Sequence, residues 1–256
     1  MNLNVSHSGN IGDILYSIPF LLGILEKKKY TKINYYLRTN VPCYYSGPHP
    51  LGNVLLNIEY AKSALTLLKI QPYINECGIY TNQTIQINLD EFRKLPIRFQ
   101  TGVIPRWYFW LGDSEYDLSK SWITAGKDER YAGKILVSRT QRHTNPGISY
   151  SFINEYAKDV VFIGVEDEWK IFNKECPGCK EWVKFSSLLD MANAYNSCKF
   201  FVGNQGMPYT LAESMKINRL LEANLEAPNN IPFSNNGMDA LFQKPFEKKF
   251  KRLYDA

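Results

Sequence analysis

Short apolar segments alternate along the chain with longer stretches in which apolar residues recur every three or four positions. Leu15, Ile18, Leu22 and Leu25 recur in this way, which is the spacing of an amphipathic helix. Ile33–Leu37 is instead short, apolar and aromatic, as strands are. In the first part of the chain the pattern predicts strands at about 3–5, 33–37 and 85–89 and helices at about 12–29 and 54–68. This strand–helix–strand start favours a parallel sheet.

The alternation is irregular over residues 93–130, which contain prolines, glycines and the aromatic cluster Trp107–Trp110. We expect this segment to close one unit and lead into another. Beyond it the pattern predicts strands at about 134–138, 160–164, 199–203 and 219–222, and helices at about 151–157, 166–174, 186–196, 208–215 and 237–253. The predicted organisation is a first domain at 1–130, a second at 131–235, and a C-terminal helix at 236–256 that packs back on the first.

The composition argues against a disordered chain and against a membrane-spanning one. Hydrophobic residues are 45% and charged residues 21% of the 256, as in ordinary folded chains. The longest apolar stretch, Ile14–Leu25, is broken by proline, glycine and polar residues and is shorter than the roughly 18–20 residues of a membrane span. The chain start lacks a basic segment followed by an apolar one, so we expect no secretion signal and a cytoplasmic protein.

The net charge of +5 is small, and two basic runs, Lys27–Lys29 and Lys248–Arg252, carry part of it. At helix ends such runs are usually solvated and complement the helix dipole. A surface for nucleic acid or for a membrane is the alternative interpretation.

Cys176 and Cys179 form the single C-x-x-C pair among five cysteines. A structural zinc site needs a second pair of ligands at a suitable distance, and the intervening Pro-Gly indicates a turn. We therefore expect reduced loop cysteines, with a metal or redox role as the alternative.

The loops after the predicted strands are where chemistry is expected, because ligands of parallel sheets bind at the carboxyl ends of the strands. The first of these loops, His7–Leu15, contains glycines and places Asp13 at the start of a helix. An aspartate there either complements the helix terminus or faces a ligand as a general base.

Two later loops suit phosphate. Arg139 and Arg142 follow the strand at 134–138, and guanidinium groups offer a planar fork of donors to phosphate oxygens. The loop after the strand at 199–203 passes through a small polar turn into a helix that begins at Pro208. The first N–H groups and the dipole of such a helix favour an anion.

These loops together resemble those of the GT-B glycosyltransferases related to the bacterial heptosyltransferases, glycosyltransferase family 9. The resemblance rests on Gly12-Asp13 and on Phe201–Ala212, which is similar to the family pattern (F/V)-G-(D/N)-x-G-x-x-H-x-x-A. Val160–Glu168 resembles the family's strand, glycine and acidic helix start, and Ser186–Leu189 resembles its segment around the nucleotide.

The chain also departs from the family. Asn204 and Tyr209 stand where the family has Asp and His, and Arg142 stands near the position of a frequent Lys. These changes are compatible with sugar-nucleotide binding but leave the identity of the sugar open.

The resemblance implies an α/β, GT-B-like fold with two Rossmann-like units facing each other across a crevice. It implies a glycosyltransferase that moves a sugar from a nucleotide-sugar donor, held mainly by the second domain, to a hydroxyl acceptor on the first. No metal is expected, in keeping with the absence of an Asp-x-Asp sequence. Asp13 is the expected catalytic base and Gly9, Asn10 and Gly12 form the acceptor-side loop. The expected donor-binding residues are Arg139, Arg142, Gly164, Glu166, Ser187, Leu188, Asn204, Gln205, Gly206, Tyr209, Glu213 and Glu222.

Within this set the arginines would neutralise the departing diphosphate, and Glu213 and Glu222 would bind the ribose hydroxyls. Three alternatives remain open: a sugar-nucleotide epimerase, a non-catalytic protein that binds nucleotides or nucleotide-sugars, and a sugar transferase acting on modified DNA.

Overall fold

The computed structural model of the chain describes residues 1–44, 52–99 and 101–256. The chain divides into two compact units, each built around its own sheet. Residues 1–117 and 187–189 form the first unit, and residues 118–186 and 190–256 form the second.

The first unit carries a parallel sheet whose centre positions the loop around Asp13. Its strands are β1 (Leu3–His7), β2 (Ile33–Leu37), β3 (Ile74–Ile79) and β4 (Ile87–Asn88), in the order β3-β2-β1-β4. Its helices are α1 (Ile11–Glu26), α2 (Ile58–Leu68) and α3 (Ile104–Phe109), and a 3-10 segment, Leu89–Lys94, follows β4. Because β4 pairs with β1 in parallel, the segments that follow these two strands emerge side by side.

The second unit carries a parallel sheet of six strands among the described residues. They are β5 (Ile135–Ser138), β6 (Val160–Ile163), β7 (Glu181–Val183), β8 (Phe200–Asn204), β9 (Arg219–Glu222) and β10 (Gly237–Ala240), in the order β10-β9-β8-β5-β6-β7. The remaining helices are α4 (Glu166–Glu175), α5 (Leu188–Tyr195), α6 (Met207–Met215) and α7 (Gln243–Asp255), and Ser151–Asp159 forms a 3-10 segment. The strand order reverses between β5 and β8, which is where doubly wound sheets bind ligands.

The expected α/β alternation is confirmed, with differences in individual elements. The pattern gave no strand at β3 or β7, and it predicted one helix over 237–253 where the structure has strand β10 followed by helix α7. The segment Ser151–Asp159 is a 3-10 helix, and α2 begins at Ile58, where the Asn57 side chain accepts a hydrogen bond from the Tyr60 N–H.

The expected domain boundaries also change. The second unit begins at Leu118 and not near residue 131, because the Trp122 and Ile123 N–H groups donate to the Ser214 carbonyl at the end of α6. Helix α7 packs within the second unit, since Phe246 and Phe250 are buried in the core that holds β5, β6 and β8. Its apolar face therefore completes the second sheet's core.

Candidate functional site

The end of β1 in the first unit brings together a cluster of polar side chains. Gly9 lies at its centre: a Cβ there would lie 2.5 Å from the His7 ring and 2.8 Å from the Asp13 Cβ. Only glycine lets the loop after β1 pass this closely to both side chains. Asn10 and Gly12 belong to the same loop and first turn, and Asn10 is the residue that precedes α1.

His7 is fully buried and joins two neighbours in this cluster. Its Nδ1 lies 3.0 Å from the Asp90 Oδ1, and its Nε2 lies 2.7 Å from the Tyr108 hydroxyl. The Ser8 N–H also donates to Asp90, and the Arg93 Nη1 lies 2.6 Å from the same carboxylate. Burial acts to raise the pKa of Asp90, but the hydrogen bond of His7, together with Ser8 and the Arg93 charge, holds that pKa well below its usual range.

Asp13 is the third residue of α1 and is partly exposed, with a side chain 22% accessible. Its Oδ2 lies 3.5 Å from the Arg93 Nη2. Arg93 therefore bridges Asp13 and Asp90. Sequence reasoning singled out Asp13 but missed His7, Asp90, Arg93 and Tyr108; the available signal was the position of Asp90 two residues after a strand that pairs with β1.

In the second unit, Asn204 ties the arginine loop to the polar turn. Its Oδ1 accepts from the Thr140 N–H at 2.9 Å, and its Nδ2 donates to the carbonyls of Thr140 and Arg142 at 2.9 and 2.7 Å. Asn204 is buried. We refer to the loop 139–142 and the turn 204–206 together as the anion turn. The two predicted phosphate-binding loops thus form one structure.

Close contact between β8 and β5 makes this arrangement possible. A Cβ at Gly203 would lie 2.4 Å from the Ser138 carbonyl oxygen, so a side chain there would push the two strands apart. Gly206 precedes α6, whose first N–H groups have no carbonyl partner within the helix. The dipole of α6 and these groups favour an anion at Gln205 and Gly206. Arg142 is exposed beside them.

Arg139, unlike Arg142, is largely buried, and its guanidinium group is occupied by neighbouring groups of the protein. Its Nε lies 2.9 Å from the Glu222 Oε2, its Nη1 lies 3.1 Å from the Glu175 Oε2, and its Nη2 donates to the Ile148 carbonyl at 2.7 Å. Burial raises the pKa of Glu222 against the lowering effect of Arg139. The sequence analysis gave Arg139 to the diphosphate and Glu222 to the ribose; the structure instead pairs them with each other.

Glu213 and Tyr209 are likewise turned into the protein. Glu213 is fully buried and forms ion pairs with Arg219 and Lys216. The Glu213 carboxylate therefore stabilises the start of β9 and is not accessible to a ribose. The Tyr209 side chain is also fully buried and lies near Phe201.

The remaining expected donor residues are spread over the structure. Glu166 is exposed and pairs with Lys170 at 2.8 Å, and the Gly164 carbonyl accepts from the Trp182 indole N–H. Ser187 and Leu188 group with the first unit, where the Leu188 N–H donates to the Ser63 hydroxyl of α2. A Cβ at Gly164 would lie 2.8 Å from the Glu168 Oε2, so this glycine lies against the start of α4.

Glu168 is the carboxylate near the anion turn that sequence reasoning missed. It accepts hydrogen bonds from the N–H groups of Val165 and Gln141, and it feels the charge of Arg142. Burial raises its pKa above the ordinary glutamate range. Glu168 ends the segment Val160–Glu168 that carries part of the family resemblance. The signal that could have identified it is its place in the first turn of α4, at the carboxyl edge of the sheet.

Cys176 and Cys179 are buried at the end of α4, and the Cys176 thiol donates to the Tyr150 carbonyl at 3.0 Å. They form part of the core of the second unit. Over residues 1–44, 52–99 and 101–256, no cluster of three or more His, Cys, Asp or Glu side chains could hold a metal ion. In the same described part of the chain, no helix has the length and apolar character needed to cross a membrane.

Comparison with known proteins finds similarity at the level of structure. No family model and no curated protein sequence matches the chain. Heptosyltransferase II of E. coli, an ADP-heptose LPS enzyme, matches with a TM-score of 0.65 and 11% identity over 99% of this chain and 98% of that one. A glycosyl transferase family 9 structure from Veillonella parvula matches with a TM-score of 0.63 and 11% identity over 98% and 88%.

A third similar structure is TibC from enterotoxigenic E. coli, described as an iron-containing dodecameric glycosyltransferase. It matches with a TM-score of 0.58 and 13% identity over 92% of this chain and 61% of that one. At these identities the likeness establishes the fold. The α/β, GT-B-like fold expected from the sequence is confirmed.

Proposed function

We propose that the protein is a glycosyltransferase that transfers a sugar from a nucleotide-sugar donor to a hydroxyl acceptor, without a metal ion. The observation that carries this proposal is the set of hydrogen bonds made by the Asn204 side chain. They join the loop 139–142 to the turn that precedes α6, at the switch point of the second sheet. The fold shared with glycosyltransferases supports it.

The departing diphosphate would lie on the anion turn. Arg142 would supply charge-assisted hydrogen bonds, and Gln205 and Gly206 would supply main-chain N–H groups at the start of α6. Such preorganised donors stabilise the charge that develops on a leaving group. Arg139 would act indirectly, since its ion pairs with Glu175 and Glu222 hold the loop in place. Glu168, beside Arg142, is the carboxylate we assign to the ribose hydroxyls.

Asp13 would take the proton from the acceptor hydroxyl. It is partly exposed at the carboxyl end of β1, and Arg93 fixes its carboxylate. A general base must lie within hydrogen-bond reach of the proton it removes, and a partly exposed carboxylate in the first turn of α1 is open to an acceptor hydroxyl. Gly9, Asn10 and Gly12 would then border the acceptor.

Binding of a nucleoside diphosphate tests the proposal directly. We expect at least one of ADP, UDP, GDP and CDP to raise the melting temperature, because a ligand of the folded state stabilises it by mass action. Arg142→Met should weaken that binding about 10-fold or more, the effect of losing a charge-assisted hydrogen bond. Arg252→Met, an exposed arginine on α7, is the matched control.

Two results would overturn the proposal. One is the absence of any thermal shift with all four nucleotides at millimolar concentration. The other is equal binding by Arg142→Met, Arg252→Met and the unchanged protein, which would place the anion elsewhere.

A further inference from the structure

Cys176 and Cys179 take no part in the proposed function, although a tight turn holds them close together. The turn joins α4 to β7, and the Cys179 N–H donates to the Cys176 carbonyl at 3.1 Å. A turn of this kind brings its first and fourth Cα atoms within roughly 7 Å of each other, and disulfides join Cα atoms that lie roughly 4.4–6.8 Å apart. The turn therefore holds the two cysteines at a separation that a disulfide can bridge.

The two thiols also affect each other's ionisation. A hydrogen bond from the Cys176 thiol lowers the pKa of Cys179, burial opposes this effect, and the charge of Lys180 adds to it. In contrast, burial raises the pKa of Cys77 to about 11 and the pKa of Cys198 to about 12. Because the thiolate is the nucleophile in thiol–disulfide exchange, Cys179 is favoured as the attacking group.

Both cysteines are buried, but the turn that carries them lies at the surface. Pro177 and Gly178 are exposed, and the Gly178 N–H donates to the Asn154 side chain at 2.8 Å. Local opening of a surface turn that few hydrogen bonds hold gives a small reagent access to the sulfur atoms. In the part of the chain that the structure describes, no third His, Cys, Asp or Glu joins the pair as a metal ligand.

We propose that Cys176 and Cys179 form a redox modification site, at which a low-molecular-weight disulfide such as glutathione disulfide reversibly oxidises the dithiol. The proposal is independent of the proposed glycosyltransferase function.

The oxidation takes place in two exchange steps. The Cys179 thiol loses its proton to solvent, and its thiolate attacks one sulfur of glutathione disulfide, which forms a mixed disulfide and releases one glutathione thiolate. That thiolate takes the proton of the Cys176 thiol. The Cys176 sulfur then attacks the Cys179 sulfur and displaces the second glutathione thiolate, which solvent protonates. Two protein thiols are thereby oxidised, and one glutathione disulfide is reduced to two glutathione thiols.

The oxidation changes the surroundings of Arg139. In the reduced pair the Cys176 thiol donates to the Tyr150 carbonyl at 3.0 Å, whereas a disulfide has no proton to donate. The Tyr150 N–H donates to the Glu175 carboxylate, and the Arg139 guanidinium group lies over the Tyr150 ring, 4.6 Å from its centroid. Oxidation therefore removes a hydrogen bond from the segment that supports Arg139.

Mass spectrometry of the folded protein tests the proposal. The protein is equilibrated with mixtures of reduced and oxidised glutathione, quenched with acid, alkylated under denaturing conditions and digested with trypsin. Cleavage after Lys174 and Lys180 places both cysteines in one peptide, 175–180. As the share of oxidised glutathione increases, we expect this peptide to change from the doubly alkylated form to the internal disulfide, and dithiothreitol should reverse the change. Full alkylation of the peptide even in oxidised glutathione alone would overturn the proposal.

Single serine variants show which cysteine attacks. Cys176→Ser keeps a hydroxyl donor beside Cys179, so Cys179 should form a mixed disulfide with glutathione. The pKa of Cys176 is raised by its hydrogen bond with Cys179, by burial and by the charge of Glu175, and the last two effects remain in Cys179→Ser. Its mixed disulfide should therefore form about 10-fold more slowly or less readily still.

Cys77→Ser is the matched control, because this cysteine lies in the first unit. It should form the disulfide of Cys176 and Cys179 at the same glutathione ratio as the unchanged protein. Equal rates of mixed-disulfide formation in Cys176→Ser and Cys179→Ser would overturn the assignment of Cys179 as the attacking thiol.

Discussion

At the scale of the single residue, Asp13 has two interpretations, a first-turn charge that complements the helix dipole and the proposed catalytic base. The residue that precedes α1 is Asn10, so Asp13 is not the N-cap, although it lies in the first turn where a negative charge complements the helix dipole. Its ion pair with Arg93 directs the carboxylate toward the cluster at the end of β1. The interaction of such a charge with the helix dipole stabilises the fold by only about 0.3–1 kcal/mol at a partly exposed site.

Asp13→Asn should therefore reduce turnover by about 10²–10⁴-fold, the usual contribution of a general base. The amide keeps the size and the side-chain oxygen but cannot take a proton. The free energy of unfolding should fall by no more than about 1 kcal/mol. Turnover is measured with the donor identified by the thermal-shift screen and its acceptor.

Nucleoside diphosphate binding is the internal control for this variant, and it should stay unchanged because Asp13 lies in the other unit. Near-normal turnover in Asp13→Asn would show that the base is another residue. A large loss of stability would show that Asp13 is structural.

Asp90 makes the stability of the protein depend on pH. Its folded-state pKa is lowered by His7, Ser8 and Arg93 against the effect of burial. The stabilisation is therefore complete above the unfolded value of about 3.9 and is lost as the pH falls below it. In Asp90→Asn we expect lower stability at pH 6 and a shallower loss of stability below about pH 4.

Urea unfolding at a series of pH values measures both effects. Glu91→Gln is the matched control. The Glu91 carboxylate is adjacent to Asp90 in sequence but pairs with Lys94 at the surface, and such pairs contribute little to stability. Parallel pH profiles for Asp90→Asn and the unchanged protein would contradict the prediction.

At the scale of secondary-structure elements, the pair of Arg139 and Glu222 ties the loop after β5 to the end of β9. Glu222 is fully buried, and its Oε1 also accepts from the Asn145 N–H. Removing one partner of a buried pair leaves an unpaired charge, which typically costs 3–5 kcal/mol. Arg139→Met should therefore lower the free energy of unfolding by about 3–5 kcal/mol.

Chemical denaturation measures this loss, and Arg142→Met provides the contrast. Arg142 is exposed, so its substitution should change stability by less than about 0.5 kcal/mol. The double variant Arg139→Met with Glu222→Gln should recover part of the loss, because the uncompensated charge is gone. Equal stability of the two arginine variants would mean that the pair is not stabilising.

The elements that the sequence predicted well are those that are buried on both faces. β5, β6, β8 and β9 are buried along their whole length, and the first three of these strands are largely apolar in sequence. The elements that it missed, β3, β7 and β10, all lie at the edge of a sheet. An edge strand such as Ile74–Ile79 carries exposed polar residues, so neither apolar continuity nor regular alternation marks it.

The residues of the candidate site likewise divide into those that the sequence pattern could identify and those that it could not. Loop position after a strand identified Asp13, Arg142 and the turn 204–206, because that rule needs only local pattern. The pairing of Arg139 with Glu222 spans 83 residues. No local spacing records such a contact, and it depends on strand order, which the sequence pattern leaves open.

At the scale of the whole molecule, each unit has its own buried core, and α7 belongs to that of the second. Phe250 packs against Phe152 and Phe200 with ring centroids 5.1 and 5.2 Å apart. The sequence pattern showed the apolar face of this helix but not the sheet that it covers. β10, the strand before it, leads the chain onto the second sheet.

Phe250→Ala should consequently destabilise the second unit. Truncation of a buried phenylalanine typically costs 3–5 kcal/mol, since it removes apolar contacts and leaves a cavity. Hydrogen exchange should become faster in β5, β8 and β9, while the amides of β1 and β2 should be affected least. Lys251→Ala, an exposed position on the same helix, should leave exchange unchanged in both sheets. Faster exchange confined to β1 and β2 would mean that α7 supports the first unit in solution, as the sequence alone had suggested.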